Sequence, residues 1–105
     1  MIDAKFHSMR LLVVGCMPHY RRPIAEIIML RKMIAESLRA KGVSLPIYGK
    51  IHLSVCCRRH EHNDSDLQNI VQAVCQAIDG NTLGKADAIL EDDGQINSLS
   101  ARWIP

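Results

Sequence analysis

The sequence predicts a small single-domain α/β (α+β) fold, a mixed sheet with two main helices. Three observations carry this. Ile24–Ala40 and the stretch from Leu67 to Gly80 each repeat apolar residues at helical spacing. Lys50–Cys56 lies between them and alternates with a period of two. Leu11-Leu-Val-Val14 is a short apolar run of strand length ahead of the first helix. With 105 residues and no internal repeat or low-complexity tract, the chain reads as one domain over 1–105.

Each element has its own local reason. Gly15-Cys-Met-Pro18 ends the first strand, and Pro23 suits the first turn of a helix, where its missing N–H is not needed. In the helix that follows, Ile27, Leu30, Ile34 and Leu38 form the apolar stripe. Arg31, Lys32, Arg39 and Lys41 are expected off that stripe, and Gly42 fits a left-handed cap. Pro46-Ile-Tyr-Gly49 reads as a turn. The next strand places Ile51, Leu53 and Val55 on one face and His52, Ser54 and Cys56 on the other. Residues 58–65 read as a loop. Leu67, Ile70, Val71, Val74 and Ile78 then recur at helical spacing, and Ser65-x-x-Gln68 resembles a capping box. Gly80 closes this helix. Residues 81–91 read as a longer loop with at most one turn of structure. Gln95–Trp103 reads as a last strand, with Leu99, Ala101 and Trp103 on one face.

Charge is segregated along the chain. Residues 1–60 hold eleven Lys/Arg against three Asp/Glu, and residues 61–105 hold two against eight. A basic surface beside an acidic site points to a polyanionic partner; the plain alternative is complementarity within the molecule. Aromatic residues make up only 4% of the chain, which argues against a base-stacking platform for single strands. The cysteines, Cys16, Cys56, Cys57 and Cys75, do not form the pattern of a disulfide framework. With no signal-peptide pattern and no stretch of transmembrane length, a reducing cytoplasmic location and no membrane partner are expected.

Two acidic groups flank the second helix. Asp64 and Asp66 precede it, and Asp92 and Asp93 follow the long loop. Brought together, such carboxylates form a hard-oxygen site suited to Mg²⁺ or, in its place, Mn²⁺. The plain alternatives are helix capping by Asp66 and an ordinary acidic turn at Asp92-Asp93-Gly94. A compact Cys56-Cys57-x-x-His60-x-His62 group offers zinc ligands, but at spacings tighter than usual.

From Asp66 onward the chain resembles the RusA family of Holliday-junction resolvases, phage- and prophage-associated endodeoxyribonucleases. The family pattern is an Asp-x-Asp-Asn start, a Lys three residues later, an Asp-Ala-Leu-Asn-Gly helix end and then Asp-Asp-x-Gln-Ile. Here the corresponding residues are Asp66-Leu-Gln68-Asn69, Gln72, Gln76-Ala-Ile-Asp79-Gly80 and Asp92-Asp93-Gly-Gln95-Ile96. Gly15-Cys-Met-Pro18 with Arg22-Pro23 is similar to the family's early turn, so the likeness covers most of the chain. Gln68, Gln72 and Gln76 stand where the family has an acid, a lysine and an acid. The loop before Asp92 is longer, and the chain stops at Pro105, where relatives continue into a further strand.

The resemblance implies a homodimeric, Mg²⁺-dependent endodeoxyribonuclease that binds and resolves four-way DNA junctions in recombination and repair. Asp66 and Asp93 would hold metal, with Asp64 and Asp92 as alternates. Gln68 and Gln72 would occupy the remaining catalytic positions with weakened chemistry. Arg21, Arg22, Lys50, Arg58 and Arg59 are the expected contacts to the DNA backbone. The rival is a decayed member that binds branched DNA without cutting it. A zinc-binding interaction module built on Cys56–His62 is a third class.

Overall fold

The computed structural model describes residues 2–7, 10–15, 24–58 and 67–104. Its elements run β1 (Ile2–His7), β2 (Arg10–Gly15), α1 (Ile24–Ala40), β3 (Ile51–Arg58), α2 (Leu67–Ile78) and β4 (Ile96–Ile104), with a 3-10 turn at Asp93–Gln95. The four strands form one mixed sheet in the order β1-β2-β3-β4. β1 is antiparallel to β2, whereas β2, β3 and β4 are parallel. The predicted class, a small mixed sheet with two helices, is what the chain adopts.

β1 is an element the sequence analysis did not assign. Its signal is present nonetheless: Ile2, Ala4 and Phe6 alternate with Asp3, Lys5 and His7. The run becomes a strand by pairing along its whole length, from Ile2 opposite Gly15 to His7 opposite Arg10.

Both helices lie on one face of the sheet. The predicted stripe of α1 (Ile27, Leu30, Ile34 and Leu38) is buried, and Ile70, Val74 and Ile78 of α2 join it over Val13, Ile51, Leu53, Val55 and Cys57. Helix α1 ends as expected at Gly42, whose φ is +84°. The Gly42 N–H donates to Arg39 O and the Val43 N–H to Leu38 O, the paired bonds of a Schellman cap.

Arg31 departs from expectation. It was placed off the apolar stripe, yet it is only 2% exposed. Its Nε donates to Ala77 O at 2.6 Å, and one terminal nitrogen donates to Gly84 O at 2.8 Å and Ala86 O at 3.1 Å. The other terminal nitrogen donates to Asp79 O. A helix end exposes carbonyls with no partner inside the helix, and here one guanidinium satisfies those of α2. Burial draws the Arg31 guanidinium below its usual value, while Asp79 and Asp87 act in the opposite sense.

The segment after α2 is also more ordered than a surface loop. Ala88, Ile89 and Leu90 are buried. The Leu90 N–H donates to Ile78 O, the Gly80 N–H to Leu90 O and the Ile47 N–H to Ile89 O. Gly80 closes the helix for a different reason from Gly42. A Cβ at Gly80 would lie 2.6 Å from Leu90 O and 2.9 Å from Glu91 O, so glycine is required by the close approach of backbone.

Two stability predictions follow from this end of the molecule. Gly80→Ala should cost about 3 kcal/mol, because rigid backbone must move. Gly42→Ala, with open space around it, should cost only about 1 kcal/mol of backbone strain. Urea denaturation distinguishes them, and equal losses would mean that Leu90 does not pack on Gly80. Arg31→Met fills a similar volume but leaves the carbonyls of Ala77 and Asp79 without donors. It should cost about 3 kcal/mol or more in the same measurement.

Candidate metal centre

The parallel pairing of β3 and β4 decides where the acids lie. Ile51 pairs with Ile96, so the chain must return, after β3 and α2, to the end of the sheet where β3 began. The C-terminal end of α2 and the approach to β4 therefore meet there. Asp79 follows the last turn of α2; Asp92 and Asp93 precede β4.

Side-chain bonds hold this region together. Asp79 is 7% exposed. Its Oδ1 accepts the Asn81 N–H at 2.9 Å, and its Oδ2 accepts the Thr82 hydroxyl at 2.8 Å. The first of these is the Asx-turn bond that aspartate makes to the backbone two residues on. Asn81 Nδ2 donates to Asp92 Oδ1 at 3.0 Å. Gln95 gives the Asp-Asp-x-Gln element its physical meaning. Its Oε1 accepts the N–H groups of Glu91 and Asp92, and its Nε2 donates to Ile47 O and Gly49 O. One amide thus ties the acidic turn to the segment before β3.

In this setting oxygens of Asp79, Asp92 and Asp93 lie within 4.8 Å of one another. Their charges are felt mutually. Asp79 pushes the Asp93 carboxyl above its ordinary value, and partial desolvation and Asp92 add to this. Cys75, half-buried one turn earlier on α2, has its thiol raised by burial and then by Asp93 and Asp79. Three carboxylates at this separation form an oxygen donor set that fits Mg²⁺ or Mn²⁺ rather than a softer metal. The two bonds on Asp79 leave lone pairs on each oxygen for a cation.

Among the described residues, Asp92 and Asp93, neighbours in the sequence, are joined in the structure by Asp79 rather than by an acid from before α2. Sequence analysis read Asp79 as part of a helix end, and only its position before Gly80, in the segment that meets Leu90, reveals it. Gln68 and Gln72 are exposed on α2. A rise of about 1.5 Å per residue puts Gln68 roughly 16 Å and Gln72 roughly 10 Å along the axis from Asp79, beyond the reach of a common ion. Asp64, Asp66, Arg21, Arg22 and Arg59 lie outside the described residues, and so does the expected convergence of Asp66 with Asp93. Arg58 is the last residue of β3. Lys50 sits beside the acidic turn, its Nζ donating to Gly94 O at 3.0 Å.

The zinc alternative loses its paired cysteines. Successive strand residues face opposite ways, so Cys57 enters the core while Cys56 accepts a hydrogen bond from Arg102 Nε on the other face. His60 and His62 lie outside the described residues. Cys56 and Cys75 are free thiols. Among the described residues, no helix is long and apolar enough to cross a membrane.

Comparison with protein-family models, with curated proteins and with solved structures returns no match.

The proximity of the carboxylates sets a pH dependence. A carboxyl held above its ordinary value binds its proton more tightly in the folded chain than in the unfolded one. Asp93 therefore makes stability fall as pH rises from 3.8 through its raised value. Asp79→Asn removes the largest cause, so Asp93 should titrate lower and this slope should flatten. Carboxyl ¹³C NMR reads the first effect and denaturation at a series of pH values the second. An unmoved Asp93 titration would show that the two carboxylates do not sense each other.

Proposed function

We propose that this chain is a RusA-like, Mg²⁺-dependent endodeoxyribonuclease that acts on four-way DNA junctions as a homodimer in the cytoplasm. The observation that carries the reading is the meeting of Asp92 and Asp93 with a third carboxylate, Asp79, where the β3–α2–β4 unit closes. The run β2, α1, β3 and α2 follows the order of strand, helix, strand and helix that the resemblance implies, and β1 precedes it as an addition. Free thiols at Cys56 and Cys75 agree with a reducing compartment.

In this reading Asp79, Asp92 and Asp93 hold Mg²⁺ or Mn²⁺. When bound, such an ion lowers the pKa of water and offsets charge on the phosphate being attacked. The chain's own part is to keep the carboxylates in place. Asn81 binds both Asp79, through its N–H, and Asp92, through its side chain. Thr82 fixes the second oxygen of Asp79. Lys50, on Gly94 O, places a cation at the rim where a DNA phosphate would approach. Arg21, Arg22, Arg58 and Arg59 join the proposal as contacts to the DNA backbone.

One feature favours a second reading, in which the protein binds branched DNA without cutting it. Gln68 and Gln72 offer neither the negative nor the positive charge that phosphoryl chemistry uses, and both are exposed on α2.

A synthetic four-way junction, a linear duplex of the same sequence and Mg²⁺ separate these readings. The nuclease should bind the junction more tightly than the duplex and cut it, and Asp93→Asn should slow cutting by about 100-fold or more while binding persists. Selective binding with no cutting by the wild type would establish the second reading. Equal affinity for both DNAs would remove the junction role.

A further inference from the structure

Among the described residues, nothing covers the face of the sheet away from the helices. Along β3, Ile51, Leu53, Val55 and Cys57 enter the core, and His52, Ser54 and Cys56 point the other way. Strand pairing extends that second face. Arg10 of β2 is the partner of His52, while Ser98, Ser100 and Arg102 of β4 are the partners of His52, Ser54 and Cys56. Sheets of parallel strands are normally covered on both faces, so an open face here calls for an occupant.

The chemistry of the face identifies that occupant. A groove is lined by Arg10, Ser54, Cys56, Ser100 and Arg102. Its floor is a network of short polar side chains. His52 Nδ1 bonds Ser98 Oγ, His52 Nε2 lies 3.3 Å from Ser100 Oγ, and Ser54 Oγ lies 3.2 Å from Ser100 Oγ. Arg102 donates from Nε to Cys56 Sγ, so the rigid guanidinium is oriented while its two terminal nitrogens keep their donors. By strand register β1 adds the positions of Asp3, Lys5 and His7 to this face, Asp3 in the row of Cys56 and Arg102, so one acid stands against Lys5, Arg10 and Arg102. A second copy of the same face would set one net positive surface against another, which like-charge repulsion opposes. Two arginines across a shallow floor of hydroxyls suit a phosphodiester backbone: guanidinium forks match phosphate oxygens, and small serines let the backbone approach closely.

We propose that this groove binds the phosphodiester backbone of duplex DNA, with Arg10 and Arg102 each contacting a phosphate and the serine hydroxyls donating between them. The proposal rests on the DNA-binding reading above and adds a surface that reading does not use. The groove begins at the row Arg10–His52–Ser98, close to the end of the sheet where Asp92 and Asp93 precede β4. Duplex lying in it is thereby led toward the acidic centre.

The test is fluorescence anisotropy of the full chain on labelled duplex and junction over a series of KCl concentrations. The double variant Arg10→Glu/Arg102→Glu should weaken binding about tenfold or more and reduce the slope of log affinity against log salt by about 2, roughly 0.9 per lost phosphate contact. Arg10→Lys/Arg102→Lys keeps both charges and should preserve the slope. If circular dichroism shows that the glutamate variant does not fold, Arg10→Gln/Arg102→Gln is read in its place, with the same expected loss of slope. DNA binding that persists with unchanged affinity and slope overturns this surface and leaves the nuclease reading standing. A wild-type chain that binds no DNA overturns both. Light scattering that shows a change of oligomeric state in the variant, with the salt slope unmoved, assigns the face to self-association and overturns the proposal.

Discussion

The guanidinium of Arg31 holds the two halves of this molecule in register. It enters from α1 and donates to the carbonyls of Ala77 and Asp79 at the end of α2, and to Gly84 and Ala86 beyond it. Only arginine carries enough donors, in a fixed fork, to serve carbonyls that diverge from a helix end. Its burial is unfavourable on its own account and is offset by those four acceptors and by the charges of Asp79 and Asp87. With the end of α2 held, Ile89 and Leu90 can enter the core, and the acidic turn that follows has a fixed starting point.

Asp79 joins this structural role to the candidate chemistry. Its carbonyl receives Arg31, while its carboxylate stands with Asp92 and Asp93. The arrangement holds like charges together, as the raised Asp93 carboxyl records. It persists because the surrounding bonds are to the backbone and to neutral amides: Asn81, Thr82 and Gln95 fix positions without neutralising charge. A site built in this way keeps its attraction for a cation.

The segregation of charge along the sequence does not survive folding as a simple division of the surface. Arg31, from the basic part, is buried. Arg39 pairs with Asp87 at 2.8 Å, an exposed contact that contributes little to stability. Lys50 caps Gly94 beside the acids. Arg102, from the acidic part, crosses to the polar face of the sheet and joins Arg10. Charge complementarity within the molecule therefore accounts for a share of the pattern, and the remaining basic groups form patches that the linear order does not mark.

Local periodicity was enough to determine both helices, their buried stripes, the Gly42 cap, the central strand and the pairing of Ala101 and Trp103 against the core. Each depends on spacing within a few residues, which a sequence displays directly. β1 was equally written in its alternation, though Asp3, Lys5 and His7 gave it no apolar run to stand out by. Tertiary structure alone decided the burial of Arg31, the packing of Ile89 and Leu90, the steric demand at Gly80 and the choice of Asp79 as the third acid. Leu99 shows the same limit from the other side: it shares the core-facing side of β4, yet is 47% exposed. These outcomes rest on contacts between residues distant in the chain, and in particular on the parallel pairing of β3 with β4. That pairing fixes which end of α2 the acidic turn must meet, and no local pattern encodes it.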